Sequence, residues 1–255
     1  MFLSDTHTHQ YIPEMREQIG ALMHRALENR VQKLYLPNID SDSVKDVFSL
    51  TELYPNNCFP MMGLHPCSVK ENYQEELAFI SNYIDDTRVV GIGEIGMDLY
   101  WDKTFVEEQK IAFRTQINWA KQRKMPIIIH CREAFDEIYE ILLEEKDELL
   151  RGIFHCFSGT EEQALKIIDL GFYLGIGGVL TYKNSGLADE IKNIDLKHLV
   201  IETDSPYLTP VPHRGKPNES SYLLHVANKL AEVMNCSLEQ VANITSENAI
   251  KIFGV

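Results

Sequence analysis

Short runs dense in Val, Ile and Leu alternate along the chain with longer segments whose apolar residues recur every three or four positions. The runs cover residues 2–9, 31–39, 58–65, 88–94, 126–131, 152–157, 172–179 and 199–204, and their length and β-branched content predict eight strands. The intervening segments predict helices over 14–29, 43–54, 74–86, 104–124, 134–149, 161–170, 187–194 and 220–234. The clearest is 104–124, where Val106, Phe113, Ile117 and Ala120 fall on one face. Residues 237–253 read as one or two short helices closing the end. Strict alternation of strand and helix implies parallel strands joined by crossover helices. The simplest closure is an α/β (β/α)8 TIM barrel forming a single domain over residues 1–255, a length typical of that fold. A doubly wound open sheet is the alternative arrangement.

Composition narrows the class. With 44% hydrophobic and 24% charged residues the chain can bury a full-sized core, which argues against disorder. No apolar run approaches membrane-spanning length, so no membrane partner is expected. The first nine residues lack a basic leader and already read as a strand carrying chemistry, which argues against a signal peptide. Five cysteines without framework spacing suggest reduced thiols and a cytoplasmic location. A net charge of -14 counts against binding along a duplex, because counterion release needs Lys and Arg. A strand end gripped at one point by metal ions would ease that tension.

Catalytic groups in such barrels project from the C-terminal ends of strands. Here those ends carry His7 and His9, His65, Glu94, His130, His155 and Asp204. Five of the nine histidines therefore end strands, a placement that chance does not readily give. His7 and His9 lie two apart on a strand, so both imidazoles can face the mouth and share a metal ion. Asp5, one pleat deeper, is placed to orient an imidazole. Glu94 follows an apolar strand in a glycine-flanked turn, and its two oxygens suit a bridge between cations about 3.5–4 Å apart. Asp98 reads as a cap for that turn, or as part of the site. Asp204, just before Ser205-Pro206, suits both metal binding and acceptance of a proton from attacking water. Glu202 is either a further site carboxylate or a buried, hydrogen-bonded one.

Cys131 and Cys156 follow His130 and His155, and period two turns them toward the helix layer as packing residues. Arg132 and Arg214 are candidates for binding phosphate, through a planar fork of donors, or for surface ion pairs. Residues 175–178, rich in glycine, permit close backbone approach. His24, His198 and His225 sit at helix or strand-start positions and read as structural.

The motifs Asp5-Thr6-His7-Thr8-His9, Gly63-Leu64-His65-Pro66, Gly93-Glu94-Ile95-Gly96-Met97-Asp98, His155-Cys156-Phe157-Ser158-Gly159 and Glu202-Thr203-Asp204-Ser205-Pro206-Tyr207-Leu208 occur in this order. Together they resemble the TatD-type metal-dependent deoxyribonucleases over essentially the whole chain. The resemblance implies that His7, His9, Glu94 and Asp204 attend one metal and Glu94, His130 and His155 a second. It also implies that His65 lies beside the site, near the phosphate. The loop after Arg214-Gly215 departs from the family pattern, reading Lys216-Pro217-Asn218-Glu219-Ser220, which bears on substrate contacts and not on metal ligands.

The expected activity is hydrolysis of a phosphodiester in DNA, of exonuclease type and on single strands or strand ends, with Asp204, Glu94 and His65 as catalytic residues. Two divalent ions, Zn, Mn, Mg or Fe, are the expected cofactors. A monomer would suffice. An esterase or deacylase of amidohydrolase type is the enzymatic alternative, although such relatives often bridge their metals with a modified lysine on strand four, where Glu94 stands. A barrel without catalysis, serving as a binding module, should lack a ligand, and none is missing.

Overall fold

The computed structural model describes residues 1–255. Its strands are β1 (Leu3–Asp5), β2 (Val31–Pro37), β3 (Cys58–Met62), β4 (Gly91–Asp98), β5 (Ile127–Arg132), β6 (Gly152–Phe154), β7 (Tyr173–Ile176) and β8 (Leu199–Ile201). The helices are α1 (Ile19–Glu28), α2 (Val44–Leu53), α3 (Tyr73–Ser81), α4 (Val106–Arg123), α5 (Phe135–Glu144), α6 (Glu161–Asp169), α7 (Leu187–Ile191), α8 (Leu223–Val233) and α9 (Leu238–Phe253). The strands form one sheet in chain order, and every neighbouring pair is parallel. The first and last strands meet through Thr6 N–H donating to Ile201 O at 3.2 Å, Asp204 N–H to His7 O at 2.9 Å, and a bridge between Thr8 and Ser205. The sheet therefore curls into a TIM barrel rather than the doubly wound alternative.

Several strands stop before the residues expected to end them. His7, His9, His65, His155 and Asp204 lie just past β1, β3, β6 and β8, while β4 runs further than expected, to Asp98. Cys156 and Asp204 have φ of 48° and 56°, a left-handed backbone that no strand can continue. The chain thus breaks off its ladder where side chains must turn into the mouth. Residues 13–18 form a 3-10 turn ahead of α1. The C-terminal segment is one helix, begun by a Ser237–Gln240 capping box and ended by Gly254 at φ 79°.

Two apolar layers follow from strand alternation. Leu34, Leu36, Ile127, Ile129, Leu199 and Ile201 join the core shared with the helices. Tyr35, Met61, Ile128, Ile153 and Val200 form the inner layer, with Ile252 and Phe253 of α9 packed against them. Phe253 stacks on Tyr35 with ring centroids 4.0 Å apart, and the Tyr35 hydroxyl donates to Val255 O at 3.0 Å. The last helix thus plugs the barrel floor. The same period carries His130, His155 and Asp204 to the inner side, above Ile128, Ile153 and Val200.

β4 departs from strict alternation. Ile92, Ile95 and Met97 all join the helix-side core, and the pairing register with β5 shifts between Ile92 and Ile95. The extra residue leaves Glu94 free to face the mouth, a recognised use of a bulge. Beyond it Gly96 has φ 134°, and a Cβ there would sit 2.1 Å from His130 O. Gly96→Ala is expected to cost about 2–6 kcal/mol, from overpacking plus a disfavoured φ. Gly171→Ala, with φ 87° and open space around it, should cost about 1–2 kcal/mol. Urea midpoints compare the two; equal losses would contradict this account of the β4–β5 junction.

Candidate metal centre

The centre is organised around Glu94, a carboxylate that is almost fully buried. Its Oε2 lies 3.1 Å from His7 Nε2 and 3.4 Å from His9 Nε2. Its Oε1 lies 2.8 Å from His130 Nδ1, 2.9 Å from His155 Nε2 and 3.3 Å from His65 Nε2. Asp204 Oδ1 joins the first side, 3.8 Å from His7 Nε2 and 3.7 Å from His9 Nε2. All six residues expected to bind metal therefore converge, with His65, and each oxygen of Glu94 faces its own set of imidazoles.

The outer ring nitrogens decide what the inner ones can do. His9 Nδ1 lies 2.9 Å from the Tyr11 hydroxyl, which itself donates to Pro37 O at 2.5 Å. The hydroxyl's hydrogen is thus committed, so His9 Nδ1–H is the donor and Nε2 keeps a lone pair. His130 Nε2 lies 2.8 Å from Asp98 Oδ2, and His155 Nδ1 lies 3.2 Å from Glu202 Oε1. Both carboxylates accept, so His130 Nδ1 and His155 Nε2 are the nitrogens left facing Glu94, where each donates to Oε1 and would offer a lone pair to a cation that displaced its proton. His65 differs. Its Nδ1 accepts from Cys67 N–H at 3.0 Å, so the neutral ring carries its proton on Nε2, aimed into the site. Such a nitrogen suits donation rather than metal binding. His7 Nδ1 is buried without a partner, and the ring is held by stacking on His155, centroids 3.8 Å apart.

Electrostatics follow from crowding these groups out of water. Burial alone would raise Glu94, but His155, His65 and His7 outweigh it and hold the carboxyl well below its usual range. Burial and neighbouring His155 push His7 well below the ordinary histidine value. Burial works against charge on His155 too, yet Glu94 and Glu202 hold it well above that value. Burial pushes Asp204 up to about 6, against the pull of His155 and His9.

The structure resolves several open assignments. Asp98 does both jobs: Oδ1 accepts from the Tyr100 and Trp101 N–H groups at 3.0 and 3.1 Å, and Oδ2 holds His130. Glu202 is the buried carboxylate that orients His155, and its Oε1 also accepts from Cys156 N–H at 2.5 Å. Gly175 makes room for it, since a Cβ there would lie 2.3 Å from Glu202 Oε2. Asp5 does not orient an imidazole. It accepts from the Thr203 N–H at 2.8 Å and hydroxyl at 2.7 Å, tying the end of β1 to the segment after β8, so its oxygens are taken by the neighbouring strand end rather than by a ring. Nothing in the sequence pattern marks Tyr11 beyond its standing two residues after His9, as His9 does after His7. Cys131 packs against the core, and burial pushes its thiol up to about 12. His24 pairs with Glu28, and His225 with His213, away from the centre.

Arg132 and Arg214 lie at the rim. The Arg132 guanidinium carbon is 3.8 Å from the Tyr100 ring centroid and 5.1 Å from that of Trp101, and Arg214 is 3.9 Å from that of Tyr182. Beside Tyr11 opens a cavity of about 790 Å³, whose walls include Glu14, Asp40, Asp42, Asp46, Lys216 and Glu219.

The donor set fits divalent cations. Three overlapping groups have ligand atoms within 4.8 Å of one another: His7, His9 and Glu94; His65, Glu94 and His130; His7, His155 and Asp204. Mixed imidazole and carboxylate donors suit Zn, Mn or Fe. His7, His9 and Asp204 face Glu94 Oε2, and His130 and His155 face Glu94 Oε1, so either side could hold such an ion.

Residues 4–254 match the family described as TatD related DNase. The chain is 38% identical to the uncharacterized metal-dependent hydrolase YabD of Bacillus subtilis, with 99% of each covered. It is 34% identical to YcfH of Escherichia coli, an uncharacterized metal-dependent hydrolase, over 76% of this chain and 72% of that one. The crystal structure of the TatD homologue YjjV from Escherichia coli superposes with a TM-score of 0.93 at 28% identity, covering 99% and 98% of the two chains.

Asp98→Asn keeps the bulk of the side chain but leaves one good acceptor for two tasks. It is expected to weaken metal binding about 10- to 100-fold, read by competition with a chromophoric chelator. Unchanged affinity would remove Asp98 from the control of His130.

Proposed function

The chain belongs to the TatD-related family of metal-dependent hydrolases, and from that premise we propose that it is a deoxyribonuclease that cuts phosphodiesters at single-stranded ends. The observation that carries this reading is the fate of two arginines. Arg16, Arg25, Arg88, Arg114 and Arg123 all pair with carboxylates, in a chain with 38 of them. Arg132 and Arg214 instead lie over aromatic faces beside the mouth. Stacking occupies the face of a guanidinium and leaves its N–H edge free for a phosphate. A neutral ester or amide substrate would give neither group a comparable partner.

Two divalent ions at Glu94 would polarise the phosphoryl oxygens and acidify a water. The protein's own groups have distinct tasks. Asp204, beside His7 and His9, is placed to take a proton from that water. His65 presents an Nε2 proton toward the same space, where it can donate to a phosphate oxygen. Glu14, Asp40 and Asp42 on the neighbouring cavity have no cationic partner, unlike Asp46 and Glu219, and they repel a continuing polyanion on that side, which favours a strand that ends there. Net charge of -14 then opposes wrapping of a duplex without opposing the capture of an end.

Metal-stripped protein, resupplied with Mg, Mn or Zn, should shorten a single-stranded oligonucleotide. Asp204→Asn should lose roughly 10²- to 10⁴-fold in turnover, the span of general-base removal, with metal content measured alongside. Absence of cleavage with every metal, despite bound ions, would end the nuclease reading.

A further inference from the structure

The β4–α4 turn carries two large aromatic side chains in water. Trp101 is 68% exposed and Tyr100 48%, and neither joins the apolar core. Exposed aromatics of this size cost hydration free energy without contributing to the core. Their position is fixed by the metal centre, because Asp98 accepts from both backbone N–H groups with the oxygen opposite the one holding His130. Arg132 is fixed there too: it pairs in register with Asp98 across β4 and β5, and its carbonyl accepts from Leu99 N–H at 2.9 Å. The two rings meet edge to face at 85°, with centroids 4.8 Å apart, and the Arg132 guanidinium lies over both.

We infer that Trp101, with Tyr100 and Arg132 behind it, is a nucleobase-binding subsite that seats one base of the substrate strand beside the metal centre. The inference rests on the nuclease reading and names what selects the substrate within it. Tyr100 is already covered by the guanidinium, whereas Trp101 is the more exposed ring and offers a broad π-face. Bases stack on such a face whatever their identity, so the subsite grips single strands without reading sequence. A paired base is already stacked within its duplex and is not available to the ring. Arg132 adds a donor edge for the phosphate joined to that base. The subsite thus discriminates by strandedness at the base itself.

Trp101 becomes the only tryptophan in Trp119→Phe, so its fluorescence can be read directly in the full-length protein without added metal. Titration with a short oligothymidylate should quench it saturably, and an oligomer of tetrahydrofuran abasic units should not. In turnover, Trp101→Ala should raise KM for the oligothymidylate roughly ten-fold or more with kcat unchanged. KM for the abasic strand should not move, and Trp101→Phe should recover most of the loss. Lack of quenching by the base-bearing strand, or an equal KM change on both strands, overturns the subsite even if cleavage is normal. Base-dependent quenching in a protein that cuts no DNA would leave the subsite standing and remove the nuclease reading instead.

Discussion

A buried carboxylate with imidazoles on both of its oxygens is the constraint from which the rest of this molecule follows. Taking an ionised Glu94 out of water is costly, and only positive charge or hydrogen-bond donors brought equally deep can offset it. Supplying them takes residues at the ends of β1, β3, β5 and β6, so the centre exists only when the barrel has assembled. The shifted register in β4 and the missing Cβ at Gly96 are local concessions to it, because a regular strand would turn Glu94 to the helix side.

Around that carboxylate a second layer of polar groups assigns the chemistry. Tyr11, Asp98 and Glu202 each take the outer proton of one imidazole, so that the inner nitrogens of His9, His130 and His155 are the ones that would meet a cation. Cys67 reverses the logic for His65 by donating to its outer nitrogen, so this ring brings a proton to the site instead. Identical side chains thus acquire different roles from single hydrogen bonds. The rim continues the division of labour, with unpaired guanidinium and aromatic groups over β4 and β5 and carboxylates around the neighbouring cavity.

Much of this was legible in the sequence because it depends on two periods. The eight-fold alternation gave the barrel, and alternation within β5 separated His130 from Cys131; Cys156, by contrast, lies past the end of β6 in a left-handed turn and does not join the core, so strand period did not place it. Histidines and carboxylates at strand ends then marked the mouth before any contact was known. What alternation could not give lay where it breaks. The bulge in β4 leaves no clear trace in composition, and Asp5 appeared aligned with His7 although it bonds to Thr203. Tyr11 and the second task of Asp98 were hidden for another reason: each acts through a neighbour brought close only by folding. Their sequence signals, a tyrosine two residues after a histidine and an aspartate in a turn, are ordinary.

The central claim is that Glu94 joins two cations, one on each oxygen. Electron paramagnetic resonance of the metal-free protein titrated with Mn(II) tests it most directly. The account requires two ions per chain with an exchange-coupled spectrum, and loss of that coupling in Glu94→Gln. A single uncoupled ion at saturation, or coupling that survives the substitution, would contradict it.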